Sequence, residues 1–209
     1  MQAHTISVSG TGRVAATPDA MVVDLGVSVL RPNVAAATGE AARLAAAVIE
    51  AAGREGVDTE DLRTSRYGLH PEHDHRGERR TLLGYRAGNV LSVTIRDFDR
   101  AGAVIDAAMA AAGDEGVVEG IRFEIEDAGS ATTAARAAAC ADALSAAEQL
   151  AALAGGRLGG VVAISERGAP ADPGPIRPVM EAAMGAPTPI RPGAQVVTVT
   201  LAVDFVLEV

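Results

Sequence analysis

Three histidines in one polar stretch form the densest group of metal-ligating side chains in the sequence. They are His70, His73 and His75, with Glu72 and Asp74 between them. Imidazole and carboxylate groups are ligands that zinc prefers, and on an extended chain His73 and His75 would share a face. Three arginines within the next five residues would repel a cation, so the pattern favours a solvated hairpin tip. We therefore assign no metal and no other cofactor, and these histidines are the candidate ligands to test.

The glycine pair Gly10 and Gly12 invites comparison with a phosphate-binding loop. Such a loop uses closely spaced glycines ahead of a helix, whose N-terminus holds the anion. Here the third glycine is missing, and the residues that follow read as another strand. The sequence predicts instead a bulge or bend between two strands.

The residues around Cys140 and the serines do not indicate nucleophilic catalysis. Cys140 is the only cysteine, which excludes a disulfide within the chain. It lies in an alanine-rich stretch without the base that a nucleophile needs, and we predict a small buried apolar residue there. The sequence also has no Gly-x-Ser-x-Gly elbow. We therefore predict a protein that is not an enzyme.

Composition narrows the remaining classes of function. Aromatic residues make up 2% of the chain, Trp is absent, and the formal net charge is −9. Interfaces built on aromatic anchors are disfavoured by this composition. Nucleic acid is excluded as the main partner, because neutralising phosphates needs a basic surface.

The beginning of the chain gives an expectation about location. The segment MQAHTISVSG has neither the basic region nor the apolar region of a secretory signal. No stretch approaches the ~20 apolar residues that a membrane helix needs. As written, the sequence predicts a cytoplasmic protein without a transmembrane segment. If a leader had been removed, the location would be periplasmic or exported.

The elements that position these residues follow from apolar periodicity, which is clearest at the end of the chain. From Val197 to Val209 every second residue is apolar, which predicts a long strand with one buried face at the centre of a sheet. In the helical stretch Ser130–Ala154, alanines recur every four residues and form a narrow ridge. We expect the strand to pack on this ridge and to leave its threonine-rich face for water or a neighbouring subunit.

The whole pattern predicts the element order ββαββαβαββ. This is an α+β fold with mostly antiparallel sheets and about three long helices packed on one face. The length of 209 residues suits a single domain. Residues 169–193 form a Pro-rich connecting segment, and such a long connection is typical of a lid, an arm or disorder. An arm at a subunit contact and a tucked loop both stay open.

Several motifs in a fixed order resemble the SIMPL-domain family across nearly the whole chain. They are ISVSGTGRVAATPD at 6–19, GYRAGNVLSVTIRD at 84–97, GIRFEIED at 120–127 and IRPGAQVVTVTLAVDF at 190–205. The Ala-Arg and Asp-Ala positions of the long helix, at 135–136 and 142–143, also match. The resemblance implies an α+β fold and a tendency to form oligomers, in one member a ring-like, channel-shaped assembly.

The resemblance also implies a class of function. Many bacterial members are periplasmic and are associated with tolerance of oxidative and other stress. The family has no established catalytic residues, so none is carried over, and HPEHDH replaces its commoner P-x-Y. We therefore predict a non-enzymatic, homo-oligomer-forming SIMPL-like protein, an interaction or stress-associated module. The alternative is a small-molecule or metal-binding protein with a cleft near the Pro-rich segment or the His-rich loop.

Overall fold

The fold was analysed in a computed structural model, which describes residues 4–74, 80–167 and 192–209. The strands are Thr5–Ala16 (β1), Ala20–Arg31 (β2), Leu62–Asp74 (β3), Thr81–Ile95 (β4), Gly116–Glu124 (β5), Arg157–Arg167 (β6) and Gln195–Glu208 (β7). The helices are Val34–Arg54 (α1), Phe98–Ala112 (α2) and Gly129–Leu153 (α3). All strand pairs are antiparallel, which confirms the predicted α+β class.

The contacts divide the chain into two compact units. The first contains β1, α3, β6 and β7, and the second contains β2 to β5 with α1 and α2. The Pro-rich segment lies outside the described residues up to position 191, so the choice between an arm and a tucked loop stays a prediction. Among the described helices, none combines the length and the hydropathy of a membrane span.

In the second unit, four strands form a sheet in the order β3-β4-β2-β5, with α1 and α2 on one face. Alternation along β2 sets the two faces, because Val23 and Leu25 are buried in the core while Asp24 lies half-buried on the opposite face. The helices begin at side-chain caps. Asn33 accepts a hydrogen bond from the N–H of Ala36, and Asp97 caps α2 as predicted.

In the first unit, three strands form a sheet in the order β1-β7-β6. The closing strand β7 is therefore central, as predicted. Its buried residues pack against the alanine ridge of α3, which confirms the predicted contact. The members of this core are Val199, Leu201, Val203, Phe205, Ile6, Ala135, Ala139, Ala143, Ala147 and Ala151.

Candidate functional site

The structure does not bring the candidate histidines together into a metal site. His70 Nε2 lies 3.9 Å from Glu72 Oε2, but the same carboxylate oxygen accepts a hydrogen bond from Arg86 Nε at 3.1 Å. Over the described ranges, no three His, Cys, Asp or Glu side chains are grouped so that they could hold a metal ion. Glu72 of β3 therefore forms an ion pair across the ladder with Arg86 of β4. Arg86 is the residue that lies opposite His70.

The second histidine is also engaged with an arginine. His73 Nδ1 lies 3.1 Å from a terminal guanidinium nitrogen of Arg80. The predicted polar loop is shorter than expected, because β3 continues to Asp74 and places His70 and His73 within a strand. His75 lies outside the described part of the chain.

The glycine pair of β1 serves close packing. A Cβ atom added at Gly10 would lie 2.1 Å from the carbonyl oxygen of Ala139, and one added at Gly12 would lie 1.9 Å from that of Ala135. Both distances are far below van der Waals contact, so glycine lets the backbone of α3 approach the strand. β1 pairs with β7 without interruption from Thr5 to Ala16. The predicted bulge is therefore wrong.

Asp142 of α3 binds the edge of β1 beside these glycines. Its Oδ2 atom accepts a hydrogen bond from the backbone N–H of Thr11 at 2.8 Å. β7 pairs with β1 along its other side, so this N–H is directed away from the sheet partner. A carboxylate at this point occupies a donor that an incoming strand would need.

Cys140 is exposed, so the predicted buried position is wrong. The buried ridge of α3 repeats every four residues, at Ala135, Ala139 and Ala143. Cys140 follows Ala139 by one residue, a rotation of about 100° around the helix, which turns it away from the core. Its position gives a thiol at the surface of α3.

Asp24 connects three strands on the sheet face opposite α1 and α2. The hydroxyl of Ser92 donates to one carboxylate oxygen, and Arg122 donates to the other at 2.7 Å. Burial opposes the charge of this guanidinium, but its hydrogen bond to Glu124 and the nearby Asp24 raise the pKa of Arg122. The serine thus lies beside a carboxylate that is paired with a fixed cation. This network ties β2, β4 and β5 together.

A shallow depression of about 370 Å³ lies between α1 and α2. Both charged residues that line it are in ion pairs, Arg54 with Glu50 at 3.8 Å and Glu55 with Arg100 at 3.6 Å. The other lining residues are Ala51, Ala107, Ala110 and Ala111. Ligand sites usually combine apolar walls with convergent polar groups, and this lining does not provide them.

Strand β6 exposes apolar side chains on both of its faces. Val161, Val162 and Ile164 are 53%, 56% and 56% exposed, and we call these three residues the β6 surface. α3 packs mainly on β1 and β7 and contacts β6 less extensively. The bidentate pair between Arg136 and Glu166, at 2.7 and 3.0 Å, ties the helix to the end of the strand. Clustered exposed apolar residues are typical of an interaction surface.

Sequence reasoning identified β6 only as a short strand and missed its exposure. A signal was present in the run LGGVVAIS at 158–165, which has neighbouring apolar residues, no charge and no proline. An apolar run without alternation is also typical of a strand buried on both faces. Whether β6 is exposed or buried on both faces depends on where α3 packs. The local sequence of β6 does not determine the position of α3.

Comparison with known proteins relates nearly the whole chain to one family. Residues 6–205 match SIMPL, described as a protein of unknown function (DUF541). The 26 kDa periplasmic immunogenic protein of Brucella melitensis is 28% identical over 219 residues, which cover 99% of this chain and 86% of that protein. The uncharacterized protein YggE of Escherichia coli is 27% identical over 146 residues, covering 70% of this chain and 58% of that protein. The resemblance found in the motifs is confirmed.

Proposed function

The chain belongs to the SIMPL family, and from that premise we propose that it is a self-associating, non-enzymatic interaction module of the bacterial periplasm. The periplasmic location follows the printed name of the Brucella relative. The cytoplasmic reading of the sequence finds no support among these relatives. A stress-associated role, as the resemblance implies, would depend on assembly and not on catalysis.

The exposed β6 surface is the observation that carries this proposal. Its three side chains are each a little over half exposed. Fully burying a Val or Ile side chain contributes roughly 1.5–3 kcal/mol, so covering the exposed part of these three would contribute roughly 2.5–5 kcal/mol per copy. The chemistry of the described residues agrees with a binding role, because Ser92 and His70 each lie beside a carboxylate that is already paired with an arginine.

Light scattering coupled to size-exclusion chromatography tests the assembly. We expect the full chain to elute with a mass that is a multiple of the chain mass, and with a higher mass as concentration rises. A single-chain mass at every accessible concentration would contradict self-association. Turnover of any substrate class in a broad hydrolase screen would contradict the non-enzymatic part.

A second candidate function is binding of a small molecule or a metal, and Asn89 is the observation that favours it. Its side-chain oxygen is buried, and no group in the described part of the chain donates a hydrogen bond to it, whereas buried polar atoms are nearly always paired. A ligand that donates a hydrogen bond there would stabilise the native state. A thermal-shift screen with metabolites and divalent metals tests this, because specific binding raises the melting temperature.

A further inference from the structure

We infer that Asn89 of β4 is the hydrogen-bond acceptor in a site for a small neutral organic molecule, one that carries an N–H or O–H donor on an apolar ring. The inference rests on the second candidate function, the binding of a small molecule or a metal, and it chooses between these two ligand classes. The site lies within the second unit, at the flank of α1 that faces β3.

Asn89 lies where the helix-covered face of the larger sheet changes from buried to open. Ala87 and Leu91, its neighbours on this face of β4, are buried in the core. Across the ladders, Val27 of β2 is fully buried, whereas Tyr67 of β3 is 58% exposed. Residues directly opposite each other share a face of the sheet. α1 packs on β2 and β4 and contacts β3 much less, so Asn89 lies at the rim of the helix.

The surface beside Asn89 is apolar and aromatic. Both tyrosines of the chain lie on this face, Tyr67 opposite Asn89 and Tyr85 four residues before it on β4. Leu69, two residues after Tyr67, is 39% exposed. Small-molecule sites combine such walls with a few polar groups that fix the orientation of the ligand, and Asn89 provides the polar group here.

The side-chain oxygen of Asn89 decides which ligands fit. This oxygen is buried although the residue as a whole is partly exposed, and no described group donates a hydrogen bond to it. Its neighbour on the open side is Tyr67, and exposed side chains change rotamer within nanoseconds, so a turn of this ring admits a ligand to the oxygen. Because an amide oxygen accepts hydrogen bonds and cannot donate them, the ligand must bring the N–H or O–H.

The face around Asn89 carries no charged side chain in the described β3–β4 ladder from Thr64 to Pro71. Besides Asn89 and Tyr67, its residues are Thr64, Leu69, Pro71, Tyr85, Ala87 and Leu91. Arg66 and Arg86 alternate to the opposite face. A charged ligand would lose its hydration here without gaining a counter-ion. A divalent cation needs several oxygen ligands, carboxylates above all, so this face favours a neutral molecule over a metal.

Indole and 1-methylindole test the donor requirement on the wild-type chain. The two probes have nearly the same ring, and indole alone carries an N–H. Because the chain contains no Trp, the fluorescence of indole reports binding without a background from the protein. We expect indole to bind about tenfold more tightly, since it alone pairs the buried oxygen. Equal affinities, or no binding of either probe, would overturn the inference.

The side-chain amides locate the site in the same protein. The chain contains two asparagines, and Asn33 is the internal control, because its side-chain oxygen already accepts a hydrogen bond from the N–H of Ala36. In heteronuclear NMR, indole should shift the side-chain amide signals of Asn89 and leave those of Asn33 in place. Unchanged Asn89 signals at saturating indole would place the binding elsewhere and overturn the assignment.

Substitution of the acceptor completes the test. Asn89→Leu should lower the affinity for indole to that for 1-methylindole, whereas Val118→Ala, on the far edge strand β5, should keep the preference for indole. Circular dichroism melting checks that both variants fold, and if Asn89→Leu does not, the two wild-type experiments decide. A preference retained in folded Asn89→Leu would overturn the inference. A divalent metal that raises the melting temperature while indole has no effect would overturn it but keep the second candidate function. No rise with any metal or small molecule would overturn both.

Discussion

Substitution of Gly12 by alanine should separate α3 from the sheet that it covers. The added methyl group would lie 1.9 Å from the carbonyl oxygen of Ala135 and 2.6 Å from the amide nitrogen of Ala139. Both are backbone atoms of one helix, so no side chain can rotate away to make room. The helix itself must move, and the alanine ridge would lose its contact with β7.

The expected loss of stability follows from the fact that the added methyl group would clash with backbone atoms. Overpacking a core typically costs 1–3 kcal/mol, and a clash with backbone places Gly12→Ala at about 3 kcal/mol or more. For a chain of this size, 1 kcal/mol lowers the melting temperature by roughly 2–4 °C, so a fall of about 6–12 °C is expected. Thermal unfolding followed by circular dichroism measures it.

Two further variants make the experiment decisive. Gly68→Ala is the control, because an added Cβ at that strand position meets nothing within 4 Å and should change the melting temperature little. Gly10→Ala clashes with the same helix, at Ala139 and Ala143. Once α3 has moved, the second clash costs less, so the double glycine variant should lose less stability than the sum of the two single losses. A Gly12→Ala protein that melts within about 2 °C of the control would refute the packing argument.

Three more outcomes follow from the described contacts. Removal of Phe205–Val209 should abolish cooperative unfolding, because the central strand would lose pairs with both neighbours; a truncated chain that still melts cooperatively refutes this. The hydrogen bond from Arg136 lowers the pKa of Glu166, so its stabilisation is present above the pKa of the unfolded carboxyl and is lost as pH falls through the folded value. Arg136→Gln should therefore raise the pKa of Glu166 in an NMR titration and weaken this loss on acidification, whereas an unchanged pKa contradicts the pairing. Zinc titration by calorimetry should give no micromolar binding at His70 and His73, and a stoichiometric site in that range would reverse the conclusion.

The elements that could be predicted from the sequence are those with a strong periodic pattern. β7 alternates apolar and small or polar residues over its whole length, and α3 repeats alanine every fourth residue. The two patterns together predict a contact, because the smooth alanine ridge of α3 and the apolar face of β7 can pack into one core. Their contact required no knowledge of the remaining chain, and it was predicted correctly.

The errors came from residues whose role is set by a distant partner. Gly10 and Gly12 predict a bulge or bend because glycine often interrupts a strand. Their role depends on α3, more than 120 residues later in the chain. Cys140 was expected to be buried because its neighbours are alanines, but the helical rotation that exposes it is fixed by the ridge. Local composition does not contain either relationship.

The exposed β6 surface and the glycine pair of β1 both follow from the way α3 packs on the sheet. α3 lies so close to β1 that glycine is required beneath it, and Asp142 of the same helix occupies the edge of that strand. A single helix is narrower than three strands spaced about 4.8 Å apart. Because it covers mainly β1 and β7, apolar side chains of β6 stay exposed at the opposite edge. The close approach that the glycine motif allows therefore places Asp142 at one edge of the sheet and leaves apolar side chains of β6 exposed at the other.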